Sequence, residues 1–404
     1  MPPSSAPLSP PPAAAVPWGG VPRLDGRALG WITGLFLLSR LLVVAMATLS
    51  HVVVVQGGFP MYGRSWIERF CFWDAGWYTY IAGNGYSYDP QGESSVAFYP
   101  LLPLLMRAAG FLGADRMVAG YVISLGALYA ACVLLWRLAA RETRSATVAD
   151  RAVLFLLFCP GSMWFGMIYT ESLFLLTTLG CMLCARQGRW LAAGLWGLLA
   201  ALTRTPGLLL AGFLFVEAGQ QWAGRRAWRA PSPRGRWWQA ARWPWTWRAA
   251  LAMAGPVAGH ASYLLFLQLR FGDWRAQQKT MAAGWGGHPQ WPWNAVASQW
   301  THLERIFVDV SMPLLGITLA LALVGLWTLR RLSYAALVFA LAVLYVSATP
   351  GDSVTRYLST AAPVYIVLAQ LGERSRLLET TALVFSVAVM TLLTALRANG
   401  YHII

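Results

Sequence analysis

The sequence predicts an all-α integral membrane protein that crosses the bilayer many times, and three observations carry that prediction. Hydrophobic residues make up 57% of the 404 and charged residues only 12%, where a soluble domain carries about 25% charge. Apolar runs recur along the chain, several of them long enough to span a bilayer at about 20 residues each. The arginines gather in short clusters between these runs. That is the pattern of cytoplasmic flanks, so the net charge of +15 does not point to nucleic acid.

Taken in order, residues 1–27 are rich in Pro, Ala and Ser and read as a disordered cytoplasmic N-terminus. They lack the charged-then-apolar order of a cleavable signal, so the run 29–55 reads as a retained first span. The remainder, 28–404, reads as one polytopic domain. Further runs at 117–140, 152–168, 171–185, 190–203, 207–219, 249–270, 309–329, 332–349, 357–371 and 377–396 bring the total to roughly eleven transmembrane helices. Those between 152 and 219 are short for full crossings, so a re-entrant pair stays open there. Three connections stand out: a first loop 56–116, a basic loop 220–248 and a Trp-rich loop 271–308. The basic loop is expected to lie on anionic headgroups, at about 1 kcal/mol per cation. Cys181 and Cys184 sit at helical spacing inside an apolar run and read as small core residues; Cys71 has no evident partner, so no disulfide is expected. Lys279 is the only lysine, which fits a GC-rich bacterial gene.

Charge then sorts the loops. If the spans alternate, Arg23, Arg27, Arg137, Arg141, Arg144, Arg151, Arg186, Arg189, the arginines of 220–248, Arg330, Arg331, Arg374 and Arg376 share one side, which is cytoplasmic. The other side receives Asp74, Tyr169-Thr170-Glu171, Arg204, the loop 271–308 and Asp352 to Arg356. Polar residues at span ends are costly and mark sites. Their convergence on one face predicts an active site on the non-cytoplasmic surface.

The chemistry centres on Phe72-Trp73-Asp74-Ala75-Gly76-Trp77-Tyr78, a carboxylate among aromatics beside a span. A solvated aspartate is ionised at neutral pH, and Asp74 is placed to take a proton from an attacking hydroxyl. Arg204 and Arg356 are permanent cations whose planar forks match a phosphate. A phosphate leaving group held by arginines departs without protonation, so the set suits group transfer from a phospholipid-type carrier. It does not suit glycoside hydrolysis, which needs two carboxylates at a set separation. Each residue also has a plain structural role open to it. On that reading Asp74 is a solvated or helix-capping loop aspartate, Glu171 an acid complementing a helix dipole, Arg204 a donor to helix-end carbonyls before Thr205-Pro206-Gly207, and Arg356 a side chain snorkelling to headgroups. His288 and His302 lack metal-ligand spacing, so no metal or cofactor is expected. Trp285, Trp291, Trp293 and Trp300 read as interfacial anchors.

The order of these motifs resembles the GPI mannosyltransferase 2 (PIG-V-like) family, as a bacterial member. The matching parts are Trp73-Asp74-Ala75-Gly76-Trp77-Tyr78, Ala97-Phe98-Tyr99-Pro100, Tyr169-Thr170-Glu171-Ser172, Leu202-Thr203-Arg204-Thr205-Pro206-Gly207, Phe271-Gly272-Asp273 and Thr355-Arg356-Tyr357. The resemblance implies a GT-C type fold whose first non-cytoplasmic loop carries the catalytic acid. It also implies an inverting, metal-free mannosyl transfer from a polyprenyl- or dolichyl-phosphate mannose donor. Asp74 matches the acid; Arg204, Arg356, Glu171, Trp73, Trp77, Tyr78, Tyr169 and Asp273 are the expected substrate- and donor-binding residues. The acceptor expected is the hydroxyl of a lipid-anchored glycan, and the expected location is a bacterial plasma membrane with the N-terminus cytoplasmic. Two departures stand out: a bacterium would not make the GPI precursor, and the loop 220–248 is long and basic for this family. The alternatives are a transporter or flippase of a lipid-linked sugar, or a related enzyme using another sugar or a protein acceptor.

Overall fold

The computed structural model describes residues 20–54, 73–228, 246–287, 289–300, 311–348 and 353–401. Their regular structure is entirely helical, as the composition predicts. In chain order the helices are α1 (Gly26–Leu49), α2 (Asp74–Asn84), α3 (Leu101–Phe111), α4 (Arg116–Thr143), α5 (Ala146–Leu157), α6 (Glu171–Arg186), α7 (Trp190–Thr203) and α8 (Leu209–Trp228). There follow α9 (Trp247–Phe271), α10 (Ala276–Trp285), α11 (Pro292–Trp300), α12 (Ser311–Thr328), α13 (Leu332–Ala348), α14 (Val354–Leu358), α15 (Pro363–Arg374) and α16 (Arg376–Ala398). Each predicted apolar run contains a helix, two of the runs being broken. Five of those helices, α1, α4, α9, α12 and α16, are long and apolar enough to cross a membrane. The chain is a multi-pass membrane protein.

Helices α7 and α9 pack through small residues, which lets the backbones touch. A Cβ on Gly255 would lie 2.2 Å from the carbonyl oxygen of Gly194, and one on Gly194 would lie 2.8 Å from Cα of Ala252. The capping follows local chemistry: Asp25 accepts from the amide of Ala28, Asp115 from Val118, and Ser375 from Leu378.

The run 152–168 departs from the continuous span the sequence predicts. Helix α5 ends at Leu157, and 158–170 is an almost wholly buried passage with no α-helix, only a 3-10 stretch at Ser162–Gly166. Cys159-Pro160-Gly161 explains the break, because proline removes an amide donor. Backbone freed at membrane depth must find partners inside the protein. Arg40 of α1 donates to the carbonyl of Ser162 at 2.9 Å, and the Ser162 hydroxyl bonds the Leu157 carbonyl at 2.5 Å. The run 357–371 is likewise broken: the short α14 and a turn precede α15, which starts at Pro363. The two breaks cross at Gly161, where a Cβ would fall 1.9 Å from Oγ of Ser359. The basic loop is also shorter than expected, since α8 continues to Trp228.

The two ends of the bundle sort the charges as the sequence predicts. At one end Arg27 pairs with Asp150 at 2.9 Å, Arg151 with Glu379 at 2.6 Å, and Arg186 with Glu142 and Glu217 at 2.6 and 2.9 Å. The other end collects the far end of α1, where Ser50 meets Asn399, together with Asp74, Glu171, Arg204 and Arg356.

Candidate active site

Asp74 is the first residue of α2, where the helix dipole favours an anion. Its predecessor Trp73 has φ +62° and ψ −118°, a conformation sparsely used by residues with a Cβ. Three further segments build the charge cluster on the carboxylate. Arg356, on α14, donates through Nη2 to Asp74 Oδ2 at 2.5 Å and through Nε to Glu171 Oε1 at 2.5 Å. Arg204, in extended backbone at the end of α7, donates through Nη1 to that same Glu171 oxygen. Glu171, the first residue of α6, is completely buried between the two guanidiniums. Its Oε2 is buried and without a partner among the described residues. Asp74 differs in being open: its side chain is 24% exposed, against 6% for Arg356.

Aromatic rings hold the arginines. Arg356 lies 4.3 Å over the ring of Tyr169, and Arg204 lies 4.1 Å over that of Tyr357. Tyr78, one turn after Asp74, is buried with its hydroxyl 3.4 Å from Oγ1 of Thr170 and its ring edge-on to Phe98 at 5.2 Å. Trp77 stacks on Phe98 at 5.8 Å and meets Trp285 of α10 edge-on at 6.0 Å.

The first loop is held in place by α9 and α10. The Tyr263 hydroxyl donates to the carbonyls of Val96 and Phe98 at 2.8 and 3.1 Å, and the Ser94 and Thr280 hydroxyls bond at 2.7 Å. Asp273 belongs to this docking contact and not to the acid–arginine cluster. It accepts from Tyr88 at 3.0 Å and from Lys279 at 2.6 Å, and Lys279 holds its carboxyl below the ordinary carboxylate value.

The structure therefore gathers Asp74, Glu171, Arg204, Arg356, Trp73, Tyr78 and Tyr169 into one cluster, with Trp77 beside it and Asp273 apart. Glu171 orients the arginines from a buried position instead of facing the opening. Two neighbours went unrecognised in the sequence. Arg397, in the last turn of α16, donates to the Tyr169 hydroxyl at 2.9 Å and sits 4.9 Å over the Trp73 ring. A lone cation ending an apolar run carries no pattern that singles it out. Trp285 was expected at the lipid interface but packs on Trp77 and Phe98; the mutually stacked, exposed Trp291 and Trp293 do suit that role. Phe72, Cys71, His288, His302 and Asp352 lie outside the described residues, as do the side chain of Trp300 and most of the basic loop.

A cavity of about 550 Å³ is lined by none of the acids or arginines of this cluster but reaches their neighbours in sequence. Thr355, next to Arg356 on α14, and Ser359, just past the end of that helix, line it, and it runs between α12, α15 and α16 to Ser375 and Leu378. Its walls are chiefly apolar, with Phe155 and Leu321 prominent.

A multi-pass helical protein with an open acid tied to an arginine, and through a buried glutamate to a second one, at one end of the bundle is the class these features define. Residues 61–223 match the family described as Mannosyltransferase (PIG-V). That segment holds Asp74, Tyr169, Glu171 and Arg204, while Arg356 and Arg397 lie beyond it. The chain is 28% identical over 205 residues to GPI mannosyltransferase 2 of Schizosaccharomyces pombe, covering 45% of this chain and 42% of that protein. It is 32% identical over 152 residues to GPI alpha-1,6-mannosyltransferase 2 of Rattus norvegicus, covering 35% and 30%. The chain thus spans less than half the length of these relatives. Among solved structures, ArnT from Cupriavidus metallidurans bound to undecaprenyl phosphate superposes with a TM-score of 0.49 at 13% identity, over 92% of this chain and 76% of that one. The Archaeoglobus fulgidus oligosaccharyltransferase superposes at 0.45 and 11%, over 92% and 55%.

Proposed function

We propose that this chain is a GT-C type membrane glycosyltransferase that moves mannose from a polyprenyl-phosphate mannose donor to a hydroxyl of a lipid-anchored glycan. The observation that carries the reading is the pairing of an open carboxylate, Asp74, with Arg356, which the buried Glu171 ties to Arg204. In the reaction the acceptor oxygen forms a bond to the sugar's anomeric carbon as the bond to the phosphate oxygen breaks. Asp74 takes the hydroxyl proton, and the phosphate leaves with its charge on Arg356 and Arg204. Attack from the face opposite the leaving phosphate inverts the anomeric carbon. Arg356 stands between Asp74 and Glu171, so a phosphate drawn to it is brought beside the base. The cavity between α12, α15 and α16 suits the donor's hydrocarbon chain, and the Trp77–Trp285 wall suits the acceptor glycan. The arginine-rich end faces the cytoplasm and the acid end the outside of the plasma membrane. A bacterial source is supported by the use of arginine in place of lysine.

Transfer of radiolabelled mannose from a short-chain polyprenyl-phosphate mannose into membrane lipid extract tests this. We expect lipid-soluble product with the purified chain and at least a 100-fold loss with Asp74→Asn, the scale of general-base catalysis. Undiminished transfer by Asp74→Asn would sink the mechanism. One observation favours a second reading: the broken segments that cross at Gly161 and Ser359 resemble the interrupted helices of transporters. Translocation of the lipid-linked sugar across vesicles, with no transfer of label, would establish that reading instead.

A further inference from the structure

We infer that Arg397 is a positioning residue of this site, pinning Trp73 and Tyr169 so that Asp74 and Arg356 meet in register. Three observations converge on it. Trp73 precedes the base at a positive φ, which persists in a residue with a Cβ only where its surroundings impose it. The guanidinium of Arg397 lies against that indole at 4.9 Å. It also donates to the Tyr169 hydroxyl at 2.9 Å, and the Tyr169 ring carries Arg356 at 4.3 Å. One buried cation thus touches both the residue before the base and the ring beneath the base's partner. Its own place is fixed by the end of α16, where the Asn399 amide bonds the Ser50 hydroxyl of the α1 extension at 2.9 Å.

The sequence distances underline the point. Trp73, Tyr169, Arg356 and Arg397 come from four distant parts of the chain, and only Trp73 and Tyr169 lie within the segment that matches the family. Arginine is the side chain for this task, because its planar cation lies on a ring face while its edge N–H groups donate elsewhere. A purely local role, complementing the dipole at the C-terminus of α16, is the competing account. It predicts changes in stability without a selective loss of turnover.

The functional half of the inference rests on the glycosyl-transfer reading, so the experiment has a second arm that needs no turnover. In the first arm, the purified full chain in lipid nanodiscs is assayed for mannosyl transfer as Arg397→Met, Arg397→Lys and Trp73→Gly. We expect Arg397→Met to lower kcat 10- to 100-fold, the effect of a misplaced catalytic group, with donor KM within about threefold. Arg397→Lys regains part of the loss, since an ammonium still sits over the indole. Trp73→Gly relieves the backbone and folds as well as the parent, yet loses kcat because the handle is gone. In the second arm, a water-soluble carbodiimide labels carboxylates and mass spectrometry reads the rate at Asp74. Release of Asp74 from Arg356 in Arg397→Met or Trp73→Gly is expected to raise that rate several-fold. Unchanged kcat and labelling in folded variants would overturn the inference. So would a raised donor KM at constant kcat, which would make Arg397 a direct phosphate ligand. If the unmodified chain transfers nothing, the glycosyl-transfer reading fails, and the labelling arm still decides whether Arg397 positions Asp74.

Discussion

The two ends of the bundle each hold a buried cluster of carboxylates and guanidiniums, and they differ in how completely it is bonded. At the arginine-rich end every oxygen of Glu142 and Glu217 has a partner. Glu142 takes two donors from Arg186, at 2.6 and 3.2 Å, and one from Tyr334 at 2.9 Å, with Arg331 at 3.5 Å. Glu217 takes Arg186 at 2.9 Å, Gln221 at 2.8 Å and Ser333 at 2.7 Å. This network ties α4, α6, α8 and α13 together and leaves no oxygen of the two glutamates unbonded. At the other end two arginines crowd one oxygen of Glu171, its second oxygen has no partner among the described residues, and the Asp74 side chain is partly exposed. A saturated buried network specifies a fold, while an under-bonded one invites a substrate.

The largest effect expected from this contrast is at the closed end. Arg186→Met strips the hub from two buried glutamates, and removing one partner of a buried pair costs about 3–5 kcal/mol. Thermal unfolding of purified protein should show the variant folded poorly or not at all. A well-folded, active Arg186→Met would break the comparison. Next comes the open end, where Glu171→Gln removes the shared counter-charge of Arg204 and Arg356. There we expect a smaller stability loss than at Arg186 but a fall in turnover of about 100-fold, because both guanidiniums lose their common anchor. Equal thermal shifts for the two variants, with turnover per folded molecule retained, would mean that both clusters are struts.

Much of this contrast was legible in the sequence, and the rest was hidden for physical reasons. Charge alternation placed Arg27, Arg151, Arg186 and Arg331 at one end and Asp74, Glu171, Arg204 and Arg356 at the other, because bilayer insertion sorts charges by loop. The breaks at 158–170 and 353–362 were not resolved, since a buried broken segment is as apolar as a helix. Only Cys159-Pro160-Gly161 and Pro363 hinted at them, and Arg40, which satisfies the first break, looks like any polar residue in α1. Trp285 was misplaced because tryptophan serves interfaces and aromatic cores equally well, and composition does not tell them apart. Asp273 was drawn into the site by its place in a motif, whereas its bonds show it fastening one loop to another.

Trp285 gives a more modest test of what the open end binds. Its ring closes the wall made by Trp77 and Phe98, and an aromatic contact of this kind is worth about 0.5–1.5 kcal/mol. Trp285→Ala should raise the acceptor KM about 2- to 10-fold and leave the donor KM unchanged, as read by varying each substrate in turn. A shift in donor KM instead would move the wall to the lipid side of the site. A shift in neither would make Trp285 packing alone.

The smallest effect expected concerns the docking of α10, and its sign follows from Asp273. Lys279 and Tyr88 hold the Asp273 carboxyl below its ordinary value, so the folded state favours the ionised form. The contact therefore contributes fully at pH values above the unfolded value, about 3.9, and fades as pH falls through the lower folded value. Lys279 is 54% exposed, so the pair is screened and worth about 0.2–1 kcal/mol. Hydrogen exchange of the 273–285 segment in nanodiscs should quicken only slightly between about pH 7 and pH 3, after correction for intrinsic rates. Asp273→Asn should exchange at the faster level throughout and show no such dependence, with mannosyl transfer at neutral pH within about twofold of the parent, as an exposed pair outside the cluster requires. A large drop in transfer for Asp273→Asn would return this aspartate to the site and bring the loop 271–308 into the chemistry of the open end.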